Sequence, residues 1–419
     1  MHYSSRRQFV KRLGLGAGAA AFPMILPRCV WGANDRIQVG LIGTGNRGNL
    51  LLDQLPPPGQ IVAVADCFLS RAEQANARRQ KNWDVYQDYR KILDRKDIDA
   101  VIVSTPDHDR VRVAIHACMA GKDVYAEKPL SVYIGEGRAL VKAARKYNRV
   151  VQVGTQQRSM KMNEISCALV RNGGLGKIKE AHGVNYNSSK PIPALDDEML
   201  PDKLDWDVWL GATPLRPYNK KLHLNWMSWV DYSGGEMTNW GCHGLDQIQW
   251  ALGMDRTGPV ELFPLEDGPQ GALGFRYANG VTVRLDLEDK GEIHGGGRFI
   301  GEKGQIDIWR NNFKIDAPGV ELGLPSQEEI DKWKDSRAKW QAEFHMGSWL
   351  ECIPSRKEPN ADVEIGHRTA SLAHLCNITR RLNRKLRWDP EKEEFVGDSE
   401  ANQAVNRPRR KGYELPTVA

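Results

Sequence analysis

Residues 37–48 read IQVGLIGTGNRG, and this stretch decides the fold. Apolar residues 39–42 run into Gly43, Thr44, Gly45, Asn46, Arg47 and Gly48, a GxGxxG. A strand that turns through glycines into a helix makes a pyrophosphate cradle. The first glycine permits the tight turn and the second lets the backbone approach the phosphate. The third lets helix and strand pack closely, and the helix N-terminus points free N–H groups at the anion. A lone GxGxxG can also be an ordinary turn. Here a second apolar run, Ile61-Val62-Ala63-Val64-Ala65, ends in Asp66, eighteen residues after Gly48. An acidic side chain at that distance binds adenosine ribose hydroxyls, so the pair reads as a dinucleotide site. Asp66 repels a 2′-phosphate, which favours NAD over NADP. Arg71, five residues on, leaves NADP open.

The chain then alternates helical and apolar stretches. Helices are expected over 70–81, 90–95, 109–120 and 134–147, and strands over 100–103, 122–126 and 150–153. That rhythm predicts a doubly wound parallel Rossmann sheet. Ligands of such sheets sit at the carboxyl ends of the strands. The rule gathers the glycine loop, Asp66, Ser104-Thr105-Pro106-Asp107-His108 and Glu127-Lys128-Pro129 along one edge. Ser104, Thr105 and Pro106 are expected to line the cofactor through backbone. His108 reads either as a cofactor contact or as a loop residue.

At 419 residues the chain exceeds one typical core, so two domains are expected. The +6 charge suggests nucleic acid, but residues 1–33 carry five Lys and Arg and no acid. Without them 54 basic side chains face 53 acidic ones, and no nucleic-acid partner is expected. Arg407-Pro408-Arg409-Arg410-Lys411 reads as a solvated basic tail. Seven cysteines without a CxxC indicate neither a metal site nor a disulfide framework.

Arg6-Arg7-Gln8-Phe9-Val10-Lys11, followed by a mildly apolar Gly/Ala run, resembles a twin-arginine export signal. The run is too short and weak for a stable membrane anchor. Cleavage near Ala33 and a periplasmic or otherwise exported enzyme are expected, with the export machinery as a partner. Cys29 sits in a poor lipidation context. That route moves folded proteins, so a nucleotide enzyme using it must carry its cofactor out with it. The expectation is a tightly held cofactor, recycled within one catalytic cycle.

The organisation is therefore a signal segment 1–33, a nucleotide domain 35–155 and a substrate and oligomerisation domain 156–419. In the last, residues 163–171 read as a helix and 178–187 as a strand. Six of the thirteen tryptophans fall between 206 and 250. Most are expected in the core, with Trp226 or Trp229 facing a sugar. Asn239, His243, Asp246 and Trp250 are spaced to share one helical face, which predicts a polar cleft. From 260 to 308 the sequence alternates with period two, which predicts a large open, mainly antiparallel sheet in an α+β domain. A sheet with a free face suggests a homo-oligomer. Gly295-Gly296-Gly297 reads as close backbone contact or a turn. Helices are expected over 328–352 and 368–383, with His345 and His367 structural.

Glu127-Lys128-Pro129, Gly154-Thr155-Gln156-Gln157-Arg158, the Gly-rich helix with His243, and Lys357-Glu358-Pro359 with Gly366-His367-Arg368 together resemble the Gfo/Idh/MocA family. The likeness is to its glucose-fructose oxidoreductase-like members and covers nearly all of 35–419. It implies that Lys128 lies near the nicotinamide and the reacting hydroxyl, often with a cis bond to Pro129. It also implies cofactor contacts from Glu127 and Gln156. The family pattern is Asp-x-x-x-His, and this chain has Asn239 in the Asp position. An amide cannot accept the hydroxyl proton. That role is expected of His243, with Lys128 polarising the oxygen, Arg158 and Asn239 positioning the substrate, and Asp246 orienting His243, capping the cleft or serving a structural role. The expected reaction is hydride transfer between a sugar or glycoside ring hydroxyl and bound NAD(P). An NAD-dependent glycosidase working through a keto-sugar and a non-catalytic carbohydrate-binding protein are the alternatives.

Overall fold

The computed structural model describes residues 36–289, 293–324, 326–334 and 340–418. The twin-arginine segment lies outside them. From Ile37 on, the chain forms one unit containing two sheets.

The first sheet holds β1 (Ile37–Ile42), β2 (Gly59–Ala65), β3 (Asp84–Tyr86), β4 (Ala100–Val103), β5 (Asp123–Ala126) and β6 (Val151–Val153). Its order is β3-β2-β1-β4-β5-β6, and all pairings are parallel. Helices on both faces explain the continuous apolar strands, such as the wholly buried Ala100-Val101-Ile102-Val103. They include α1 (Asn46–Gln54), α2 (Leu69–Arg79), α3 (Asp107–Met119) and α4 (Ile134–Lys146). The chain leaves β1 towards β2 on one side and resumes at β4 on the other, so the crevice at their carboxyl ends is the switch point.

The second sheet follows α5 (Lys161–Arg171). It contains β7 (Ile178–Val184), then α6 (Glu236–Asn239) and α7 (Gly241–Leu252) in sequence, then β8 (Glu261–Pro264) and β9 (Leu273–Arg276). β10 (Thr282–Leu287), β11 (Gly297–Gly301), β12 (Gly304–Trp309) and β13 (Asn312–Asp316) follow. With the late β14 (Leu386–Asp389) and β15 (Glu394–Phe395), the order is β13-β12-β11-β7-β10-β9-β8-β14-β15. Every pairing is antiparallel except β7 with β10. The domain is thus the expected mainly antiparallel α+β layer. Helix α7 lies on it through Ile248, which is completely buried. The glycine triplet is a close contact: a Cβ on Gly296 would meet the Ile308 carbonyl oxygen at 1.9 Å.

Two expectations change. A single helix over 328–352 is replaced by α8 (Gln327–Lys334), a π-helical stretch Trp340–Met346 and α9 (Gly347–Ser355). The π-stretch places His345 between Ser159 Oγ at 2.8 Å and the Val153 carbonyl at 3.1 Å, so this histidine joins the two domains. The basic run near the C-terminus is a strap, not a solvated tail. Arg407 donates to Glu136 Oε1 at 2.7 Å, Arg409 binds the same oxygen and Arg410 binds Asp207. Glu136 is on α4 of the nucleotide domain and Asp207 belongs to the substrate domain. On the same helix α4 that anchors the strap, α10 (Val363–Leu382) packs through a face that includes His367; it is buried nearly all round and touches both domains. His367 bonds Glu393 there at 2.5 Å, and His374 bonds the Ser131 carbonyl at 2.9 Å.

Among the described residues no helix is long and apolar enough to cross a membrane. No cluster of metal-binding side chains occurs among them either.

The strap yields a stability prediction. The Glu136 side chain is only 3% exposed and serves two arginines. Glu136→Ala strands those cations, and breaking a buried pair this way costs about 3–5 kcal/mol. Urea unfolding of Glu136→Ala and of a chain ending at Asn406 should both show losses of that order. Wild-type stability in both would mean that the strap contributes nothing to the fold.

Candidate active site

A cleft of about 980 Å³ opens at the switch point. One wall is the nucleotide domain's strand ends, and the other comes from the segment around Trp209, Leu224, Trp226, Met227 and Asn239.

The glycine loop is built as its sequence requires. Gly43 has φ +94°, and a Cβ there would lie 2.8 Å from the Ser104 backbone. Ser104 Oγ donates to the Gly43 carbonyl at 2.6 Å, tying the ends of β1 and β4. Gly45 has open space where a Cβ would be, on the cleft side. Gly48 does not line the cleft. A Cβ there would meet the Gly43 carbonyl at 2.0 Å, so its role is to let α1 pack beneath the loop. Thr44, Asn46 and Arg47 line the cleft, and α1 starts there with its N–H groups free of any side-chain cap.

Asp66 ends β2 in the same wall. Its Oδ2 accepts from Thr44 N at 2.8 Å and Thr44 Oγ1 at 3.0 Å, and its Oδ1 accepts from Phe68 N at 2.9 Å. The carboxylate is thereby fixed at the edge of the loop, with Oδ2 filled and one lone pair of Oδ1 left for a hydroxyl. Arg71 also lines the cleft, its guanidinium 5.4 Å from the centre of the Phe68 ring. These features fit a dinucleotide: an open glycine cradle, a helix N-terminus and a fixed ribose acceptor.

Ser104, Thr105, Pro106 and His108 reach the cleft as well. His108 is held by its Nε2, 2.6 Å from the Trp209 carbonyl oxygen, and its ring packs on Trp209 and Tyr232. Burial pushes its pKa down to about 3, so it is a neutral joint between the walls. Arg110, which the sequence reading missed, binds the Thr105 carbonyl at 2.6 Å and also the Pro129 carbonyl. It sits three residues after Asp107, a helical i,i+3 ion pair at 3.0 Å that spacing could have revealed.

Glu127 joins the two ends of the cleft. Its carboxylate accepts from Arg47 Nε at 2.7 Å and from the Lys128 backbone N–H at 3.1 Å. Lys128 precedes Pro129 through a cis peptide bond. Its ammonium donates to Asn239 Oδ1 at 2.6 Å, across 111 residues of sequence. Burial lowers its pKa, and Glu127 and Asp107 oppose that only in part.

The remaining candidates divide. Trp226 lines the cleft, whereas Trp229 is buried in an aromatic cluster with Trp206 and Trp209. His243 follows Asn239 by one helical turn and is 3% exposed, outside the cleft wall, its ring 5.5 Å from Trp240. Its Nδ1 has no hydrogen-bond partner. Burial, then the charges of Lys128 and Arg310, hold its pKa well below the ordinary histidine value. Arg158 and Asp246 are not in the cleft. Arg158 Nε donates to Asp246 Oδ2 at 2.8 Å and its Nη1 to Asp255 at 2.9 Å. Thr369 Oγ1 completes Asp246, and Trp250 stacks under the guanidinium. Below Asn239 the polar helical stripe is therefore an internal ion-paired network, in which the Asp246 and Arg158 charges meet inside the fold while His243 Nδ1 and Arg158 Nη2 keep no hydrogen-bond partner among the described residues. Gln156 is likewise buried and does not line the cleft.

The fold and the cleft define a dinucleotide-binding oxidoreductase. Residues 37–155 match the domain described as "Oxidoreductase family, NAD-binding Rossmann fold", and residues 177–415 match "Oxidoreductase family, C-terminal alpha/beta domain". The chain belongs to the Gfo/Idh/MocA oxidoreductase family, and its cofactor domain is an NAD-binding one. It is similar to inositol 2-dehydrogenase of Salmonella paratyphi B, at 29% identity over 42% of this chain. That match spans 54%, about half, of the relative's length. Inositol 2-dehydrogenase of Rubrobacter xylanophilus is 28% identical over 84% of this chain and 92% of its own. The structure of a levoglucosan dehydrogenase in complex with NADH and levoglucosan superimposes with a TM-score of 0.59 at 17% identity. It covers 87% of this chain and all of that one, a likeness of fold.

Asp66 supplies the check on cofactor binding. If Asp66 accepts a ribose hydroxyl, Asp66→Ala removes a charged acceptor, a loss of about 1.5–3 kcal/mol. NADH fluorescence titration should show binding weaker by about tenfold to a hundredfold. The preference for NADH over NADPH should narrow. Unchanged affinity would remove Asp66 from the cofactor site.

Proposed function

We propose that this protein oxidises a ring hydroxyl of a sugar, glycoside or related polyol to the ketone, or reduces that ketone, using a tightly held NAD. One observation carries the reading: a lysine ammonium, oriented by Asn239, faces the far side of the switch point from Asp66. The loop 43–48 and the start of α1 would hold the pyrophosphate, Asp66 the ribose, and Thr105, Pro106 and Lys128 the region of the nicotinamide. Bound NAD supplies the hydride acceptor or donor.

The chain's own residues handle the hydroxyl. Lys128 donates a hydrogen bond to its oxygen and stabilises negative charge as the O–H proton departs. His243 accepts that proton. Its neutrality across the working pH range keeps a ring nitrogen available, but its lowered pKa makes it a weak base, and its place behind the cleft wall means that the proton must reach it by a relay. Trp226 offers an apolar face to ring C–H groups. The names of the inositol and levoglucosan dehydrogenases support a cyclic polyhydroxyl substrate.

The Arg6-Arg7 segment supports export with the cofactor already in place. A protein so delivered returns each hydride within its own cycle, either to a second sugar or, in the glycosidase alternative, to the same one. Native protein recovered from an extracytoplasmic fraction should contain about one nucleotide per chain by mass spectrometry. Recovery without nucleotide, or only from cytoplasm, would overturn the export reading.

A sugar and cyclitol panel tests the activity. Lys128→Ala should lower kcat/KM about a thousandfold on any substrate the wild type turns over. The pH profile follows from two shifted groups. Lys128 must be protonated to donate, and its pKa is below 10.5, so oxidation should fall on an alkaline limb below that value. His243 must be neutral to accept, and its pKa is well below 6.5, so no acid limb should appear near 6.5. An acid limb at 6.5 that vanishes in His243→Asn would place His243 in ordinary solvent.

A further inference from the structure

Asn239 is an amide with a cation on one side and an anion on the other. Lys128 Nζ is 2.6 Å from its Oδ1, and its Nδ2 donates to Glu236 Oε2 at 3.0 Å. The opposite amide rotamer would turn NH₂ towards an ammonium and a carbonyl towards a carboxylate, losing both bonds. Glu236 therefore dictates which end of Asn239 meets Lys128. It can do so because it opens α6 three residues earlier, on the same helical side. Gly235, at φ +75°, turns the chain into that helix with its Cβ position against Ser189 N at 2.3 Å, so the start of α6 is fixed by backbone packing. Glu236 is half-buried and does not line the cleft, so it acts through Asn239 and not on a substrate.

We propose that Glu236 is a positioning residue for Lys128: Glu236 and Asn239 together do the work of one carboxylate, with the charge held one residue back from the ammonium. This rests on the reading of Lys128 as the group that holds the substrate oxygen. An Asp at 239 needs no orienting partner, and its charge would sit directly on Lys128. With Glu236 still present, however, it would place two carboxylates about 3 Å apart in a half-buried site, and one would protonate. The two positions are therefore coupled with a definite sign. Each single exchange harms the site and the double exchange repairs it.

The test compares wild type, Glu236→Gln, Asn239→Asp and the double variant. Substrate-free labelling of Lys128 comes first. An amine reagent is applied across pH 6–11 and the Lys128 peptide is quantified by mass spectrometry. The charged or titratable groups around Lys128 are Glu127, Asp107, Cys242, Arg47 and His243, and all four proteins keep them. Tyr186, near Glu236, is also kept. Glu236→Gln removes the anion that holds Asn239 Nδ2 and loosens the Oδ1 contact to Lys128, leaving the longer 3.3 Å bond to the Asn239 backbone carbonyl, and labelling near neutral pH should rise about threefold or more, a shift of roughly half a pK unit. The double variant should label at or below the wild-type rate. In turnover, each single variant should lose about tenfold in kcat with KM little changed, and the double variant should regain most of it.

Wild-type labelling and wild-type kcat in Glu236→Gln would overturn the proposal. So would a double variant no better than the worse single one. If Glu236→Gln fails to fold, Asn239→Asp and the double variant decide by themselves, since only the coupling makes the double the better enzyme. If wild type turns over no sugar or polyol, the function reading fails, while the labelling comparison still decides the role of Glu236.

Discussion

Glu127 is the carboxylate on which the cleft depends. It ends β5, and Arg47, its partner, starts α1 after β1, with β4 lying between those strands in the sheet. The Glu127 side chain is 3% exposed, so its charge must be matched inside the protein. Arg47 supplies the match from the phosphate loop, and the Lys128 backbone N–H supplies a second bond. One buried charge therefore fixes the cradle at one end and Lys128 at the other. Its space is reserved by Gly154, where a Cβ would come within 2.9 Å of the carboxylate. Substituting there would displace the charge, and with it both ends of the site.

The second wall must be held against that edge with comparable firmness. Three connections do so, and each uses polar atoms that the interior requires to be satisfied. His108 bonds Trp209 at the cleft, His345 bonds both Ser159 and Val153 behind it, and the strap of Arg407, Arg409 and Arg410 closes the outside. Neutral histidines suit the inner two positions. A buried imidazole kept uncharged offers both a donor and an acceptor without the cost of burying charge.

The nucleotide half was legible from sequence because its function is local. Three glycines and an acidic strand end at a fixed distance specify a backbone shape and one side chain. Period two likewise revealed the second sheet, although nothing local could show that β7 and β10 run parallel. The substrate half was harder because its partners lie far apart in the chain. Arg158 looked like a ligand contact, and only the fold brings Asp246 and Asp255 to neutralise it. The terminal arginines looked solvated for the same reason: Glu136 lies 271 residues before Arg407. Helical spacing identified Asn239 and His243 as a pair, but the same spacing carried Asp246 into the core. Glu236 was legible in principle, three residues before an amide that stood where an acid was expected.

That displacement of charge has a consequence for the chemistry. A carboxylate in direct contact with Lys128 would raise its pKa and cancel much of its field at the substrate oxygen. The neutral Asn239 carbonyl orients the ammonium but cancels less, since a dipole falls off faster with distance than a charge. Glu236, one side chain farther back, keeps the site from carrying an unbalanced cation while leaving the lysine's charge directed into the cleft. On the proposed reaction, negative charge developing on a substrate oxygen then meets a donor already in place. Such a site gains oxyanion stabilisation and gives up a proton acceptor beside the lysine. The proton must therefore go elsewhere, and on the proposed reading it goes to the neutral imidazole of His243, one turn along the helix behind the cleft wall.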